Sequence, residues 1–139
     1  MSSPLVRALQ GFADPQSEAQ LLALDVAVQA IDPASCAQAE FQAMLGVFER
    51  FPEQDGYGVF WGILHALEAC DGYEPELLAS VQRKPCEFNV LMINRLLNAD
   101  VFEVEGHSLE GVLRSVAVNP AATAQPVHDA KQYWARREA

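Results

Sequence analysis

Phe41, Met44, Leu45 and Phe48 fall at i, i+3, i+4 and i+7, which sets four apolar side chains on one face of an α-helix. Helix starters and breakers punctuate the chain on either side. Ser3-Pro4 places a capping residue and a first-turn proline ahead of Leu5, Val6 and Leu9. Asp14-Pro15 repeats the device before residues 16–31, whose apolar positions are Leu21, Leu22, Leu24, Val26, Val28 and Ile31, and Asp32-Pro33 ends that stretch. The third helix starts near Ser35 and stops at Phe51-Pro52. A turn over residues 53–58 leads to a fourth, with Val59, Phe60, Trp61, Ile63, Leu64, Leu67 and Cys70, closed by Asp71-Gly72. Trp61 is read with Phe60 and Leu64 as core.

Glu74-Pro75-Glu76 opens a fifth helix with carboxylates at its positive end and Arg83-Lys84 at its negative end. Pro85 starts a sixth, with Phe88, Leu91, Met92, Leu96 and Leu97 inward. Ser108 caps a seventh, Asn119-Pro120 breaks it, and a last helix runs from about Pro126 through Trp134. Residues 101–106 alternate like a strand but have no visible partner, so they are expected to form an extended loop. The prediction is an all-α fold: a single domain over residues 1–139 with about eight short helices in antiparallel pairs. Leu77-Leu78 recurs as Val112-Leu113 about 35 residues later, near the period of a solenoid repeat. A HEAT-like α-solenoid stack is therefore expected, with an irregular bundle as the alternative.

Charge narrows the function. Nineteen carboxylates face nine Lys and Arg, a net charge of −10. Such a surface repels nucleic acid and favours basic partners. Apolar runs are far shorter than the roughly 20 residues of a membrane span, and the N-terminus has no secretory pattern, so a cytoplasmic protein is expected. Cys36, Cys70 and Cys86 are odd in number and share no CxxC spacing, which reads as buried, reduced thiols.

Chemistry-bearing motifs are scarce. There is no phosphate-binding loop, dinucleotide fingerprint, zinc-protease motif or nucleophile elbow. His65 and Cys70 lie five apart on one helix and point in different directions, and a core histidine beside a buried thiol is the plainer reading. No close ligand spacing suggests a metal. No enzyme, cofactor or metal is predicted. The distinctive segment is 49–76, which holds seven carboxylates, one Arg and interleaved aromatics. Its two acidic turns supply the candidate partner-binding residues: Glu53, Asp55 and Tyr57 in one, Asp71, Tyr73 and Glu74 in the other. Aromatic anchors ringed by charge are the composition of binding hot spots. The turns flank one helix, so they form a single surface only if neighbouring helices bring further residues alongside. Farther on, Arg95 is expected to pair with a nearby carboxylate and Asn98 to sit near a helix end.

Two stretches carry a family resemblance: Asp55-Gly56-Tyr57-Gly58-Val59-Phe60-Trp61 continuing to Ile63-Leu64-His65, and Leu78, Ser80-Val81, Arg83, Pro85, Glu87-Phe88 and Met92-Ile93-Asn94-Arg95-Leu96-Leu97-Asn98. Together they resemble the small helical immunity proteins found beside bacterial polymorphic toxins, such as contact-dependent inhibition, Rhs or type VI effectors. The resemblance covers roughly residues 50–100. It implies a cytoplasmic inhibitor that occludes the active site of one cognate toxin domain, many of which are nucleases with basic clefts. The alternative is a helical-repeat adaptor that holds another protein and has no link to a toxin.

Overall fold

The helix starts show how local sequence sets the elements. The Oγ atoms of Ser3, Ser17 and Ser108 accept hydrogen bonds from the amides of Val6, Gln20 and Gly111 at 3.1–3.2 Å, filling orphan donors of three first turns. At two other starts a side chain reaches back: Glu40 accepts from the Ala37 amide at 3.0 Å and Asn89 from the Cys86 amide at 2.8 Å. The computed structural model describes residues 3–138; Met1, Ser2 and Ala139, included in the expected domain, lie outside the described residues.

The helices are α1 (Pro4–Gly11), α2 (Glu18–Gln29), α3 (Gln38–Arg50), α4 (Val59–Ala69), α5 (Glu74–Arg83), α6 (Glu87–Asn98), α7 (Leu109–Val116) and α8 (Ala124–Glu138). The fold is all-α, as the periodicity predicts. Three local expectations need correction. α2 starts at Glu18 because Asp14 closes a side-chain turn onto the Gln16 amide and Ser17 supplies the cap. Residues 33–35 form a separate 3-10 turn, so α3 begins at Gln38. The stretch 101–106 does find a strand partner: β1 (Glu103–Val104) pairs antiparallel with β2 (His107–Ser108), the residues leading into α7. Glu105 and Gly106 turn the hairpin with φ of 53° and 76°, the pair of positive φ values that a two-residue hairpin of this type uses.

Packing follows a simple rule. α1, α3, α5 and α7 form one layer of successive neighbours; α2, α4, α6 and α8 form the other; each odd helix also packs on the even helix that follows it. The odd helices begin at residues 4, 38, 74 and 109, so they recur at intervals of 34 to 36 residues. Ties between neighbours in a layer span 34 to 41 residues. Arg50 donates to the carbonyls of Leu9 and Gln10, Arg83 forms a forked pair with Glu49, Lys84 reaches the Ala121 carbonyl, and Arg137 reaches that of Leu97. Each of these joins C-terminal ends, while Gln38 and Gln42 hold Glu76 at the N-terminal ends of α3 and α5. Helices within a layer are therefore parallel, which is the geometry of four stacked helix pairs.

The same offset corrects the reading of the cysteines. Cys36 and Cys70 are 34 residues apart, have Cα atoms 6.1 Å apart and form a disulfide between the exit of α2 and the exit of α4. Only Cys86 is a free, buried thiol. Among the described residues no helix is long and apolar enough to cross a membrane.

Between the layers, Phe48 stacks on Phe88 with centroids 5.0 Å apart, and Phe60 packs edge-on against Phe88 and Phe12. Asn89 and Ser80, both fully buried, form a chain with Glu49 and Arg83 that joins α3, α5 and α6. Gly56 closes the core beneath the α3–α4 turn. It is buried with φ of +58°, and an added Cβ would lie 2.7 Å from the Phe60 ring and 3.2 Å from Leu21. The Gly56→Ala substitution should cost about 2–4 kcal/mol, combining left-handed strain with overpacking. Chemical denaturation checks this; a loss under about 0.5 kcal/mol would mean the turn relaxes freely.

Candidate partner-binding edge

Because the even helices run parallel, their N-termini share one edge of the stack, and the turn at residues 51–58 touches all four. The Tyr57 hydroxyl donates to Gln16 just before α2 at 2.7 Å, the Glu87 amide at the start of α6 donates to the Pro52 carbonyl at 2.9 Å, and the Gln125 amide in α8 donates to Glu53 at 3.3 Å. The turn itself enters α4. Four positive helix ends thus converge, and carboxylates gather there: Glu18, Glu53, Asp55, Glu87 and Asp129.

Tyr57 stands on this edge between the starts of α2 and α4. It is 75% exposed and adopts φ 52°, ψ 38°, between Gly56 and Gly58 that also have positive φ. The Asp55 carboxylate accepts from its amide at 3.0 Å and stabilises the bend. A left-handed non-glycine residue costs roughly 1–2 kcal/mol, and here that conformation holds an aromatic ring in water. On one side of Tyr57 lies a groove of about 490 Å³ lined by Gln16, Glu18, Leu21, Leu22, Asp25 and Val59. On the other side a hollow of about 430 Å³ is bounded by Pro15, Glu53, Asp55 and Glu87. No Lys or Arg lines either.

The six predicted residues divide. Glu53, Asp55 and Tyr57 belong to this edge and are exposed. Asp71, Tyr73 and Glu74 lie past the far end of α4, roughly 16 Å away at the helical rise, and neighbouring helices do not bring the two turns onto one surface. Asp71 is exposed and Glu74 half-buried, but the Tyr73 ring is packed inside at 8% exposure. Burial, then Glu68 and Glu74, push its hydroxyl up to about 12. Nearby, Arg95 grips Glu68 with two 2.8 Å bonds, the pairing expected of it, and Asn98 at the end of α6 accepts from Arg137.

Sequence reasoning missed Glu18, Leu22, Asp25, Glu87 and Asp129 as members of the edge. A signal existed in α2: Leu21, Leu24 and Val28 already complete its buried stripe, which leaves Leu22 and Val26 on another face, 64% and 61% exposed. Trp61, expected in the core, is 40% exposed, with its ring edge-on to Phe88 and tilted over His65. His65 is on the surface, not in the core. Cys70 is tied in the disulfide, and burial pushes the Cys86 thiol strongly up, away from thiolate chemistry. Among the described residues no group of three or more His, Cys, Asp or Glu is placed to hold a metal. The chain matches no family model, no curated protein and no solved structure.

Glu87 reports the electrostatics of the edge. Partial burial, then Asp129, Glu53 and Asp55, raise its pKa. The folded state therefore holds this proton more tightly than the unfolded chain, and stability falls as pH rises through the carboxylate range. At neutral pH the ionised group is a cost. Glu87→Gln should raise stability at pH 7 by under about 1 kcal/mol once solvent screening is allowed for, and the gain should vanish near pH 3. Thermal melts at the two pH values decide; a loss at pH 7 that fades near pH 3 would mean that the ionised carboxylate stabilises the positive end of α6 instead.

Proposed function

We propose that this protein is an immunity protein that binds a cognate bacterial toxin domain through the edge around Tyr57 and occludes the toxin's active site. The observation that carries the reading is Tyr57 itself, an exposed ring in a strained backbone, ringed by Glu18, Asp25, Glu53, Asp55 and Glu87. An aromatic anchor within one sign of charge suits a basic protein surface, and carboxylates crowded against one another gain when a cation arrives. The resemblance to immunity proteins supports the same place, since Asp55-Gly56-Tyr57-Gly58-Val59-Phe60-Trp61 is the turn and first half-turns of α4. A basic nuclease cleft is the partner chemistry this edge would mimic DNA or RNA to fill. In the cytoplasm that this reading expects, the Cys36–Cys70 bond would be reduced; it closes where the surroundings oxidise.

The four stacked helix pairs favour one second reading, an adaptor that holds another protein without any toxin. Gene order and protection separate the two. Expression of the upstream-encoded toxin should kill cells, and this chain should rescue them. The double substitution Glu53→Lys/Asp55→Lys should slow association by about tenfold at low salt and flatten its salt dependence, while Asp71→Lys at the far end should not. No rescue by the intact protein would overturn the immunity reading.

A further inference from the structure

The groove beside Tyr57 has a defined pattern along its length. Glu18, Leu22 and Asp25 fall at i, i+4 and i+7 of α2, so they share one face with the apolar residue between the two acids. Seven residues at the helical rise separate the carboxylate positions by about 10 Å. Leu21 lies below, Val59 and Tyr57 form the opposite wall, and Gln16 fixes the phenol by accepting its hydrogen bond. Val26 extends the apolar face one turn further, 61% exposed. Neither Glu18 nor Asp25 joins an ion pair among the described residues.

We propose that this groove receives a helix of the partner that carries two arginines seven residues apart with a large apolar residue midway between them. The inference rests on the reading of this edge as a protein-binding surface, and it specifies what that surface recognises. A helix repeats its face at the same interval of about 10 Å as the groove. A strand does not, because residues on one face of a strand recur at about 6.6 or 13 Å. The midway residue rests on Leu22 and the Tyr57 ring, and the flanking cations meet Glu18 and Asp25. Arginine fits better than lysine, since its planar guanidinium both forks onto a carboxylate and stacks on an aromatic face.

The probe is a stapled helical peptide of about 15 residues with this Arg–Leu–Arg register, compared with a stapled peptide of the same composition whose arginines stand four apart and whose leucine faces away. Both are titrated into the full-length, isotope-labelled protein. The registered peptide should bind at least tenfold more tightly, with amide shifts confined to residues 16–26 and 57–61. Glu18→Gln/Asp25→Asn should bring its affinity down to that of the control. Equal affinity for the two peptides, or shifts centred on another face, would overturn the proposal. If the peptides bind alike while the chain still rescues cells from the toxin, the groove inference falls and the function stands. If register-selective binding persists without rescue, the function falls and the groove stands.

Discussion

Parallel packing of the helices within each layer decides where every other part of the molecule lies. Once α1, α3, α5 and α7 stack in one direction at intervals of 34 to 36 residues, the even helices must run back the other way and also lie parallel to one another. Short connections then deliver all the even N-termini to one edge. The hydrogen-bonded Asn89–Ser80–Glu49–Arg83 chain and the Phe48, Phe60 and Phe88 rings hold the central pairs in this register. A buried polar chain of this kind is costly unless every member is satisfied. Here Asn89 also donates to the Lys84 carbonyl and accepts from the Cys86 amide.

The aligned N-termini have two opposing electrostatic effects. Positive helix ends stabilise carboxylates, so an acidic edge follows from the architecture. Partial burial and the crowding of the carboxylates work against them, as the raised pKa of Glu87 records. Tyr57 presents an exposed ring among these carboxylates. Backbone strain at Tyr57 and the partly buried, crowded carboxylate of Glu87 are both local departures from stability, and such departures gather at functional positions.

Much of the fold was legible in the sequence because helix punctuation is local. Ser3-Pro4, Ser108 and Asp71-Gly72 each act within a few residues of the chain. The 35-residue recurrence of Leu77-Leu78 in Val112-Leu113 reflects the true interval between α5 and α7. Strand pairing at 103–108 was hidden because its second strand doubles as the cap of α7. The disulfide was hidden because Cys36 and Cys70 meet only through the stacking offset, which no spacing motif encodes. The candidate site was half legible. Glu53, Asp55 and Tyr57 stand out in a single acidic turn, whereas Glu18, Glu87 and Asp129 come from helices that only tertiary packing brings to it. Tyr73 shows the converse failure: an aromatic in an acidic turn whose ring the next helix pair buries.

The decisive measurement is hydrogen exchange of the intact chain, free and in complex with the cognate toxin domain proposed for it. Binding at the Tyr57 edge should slow exchange at residues 14–25 and 53–61 and at the first turn of α6, with the far end around 71–74 unchanged. Protection confined to that far end, or to the groove between α6 and α8 lined by Asn94, Phe102 and Arg136, would contradict it.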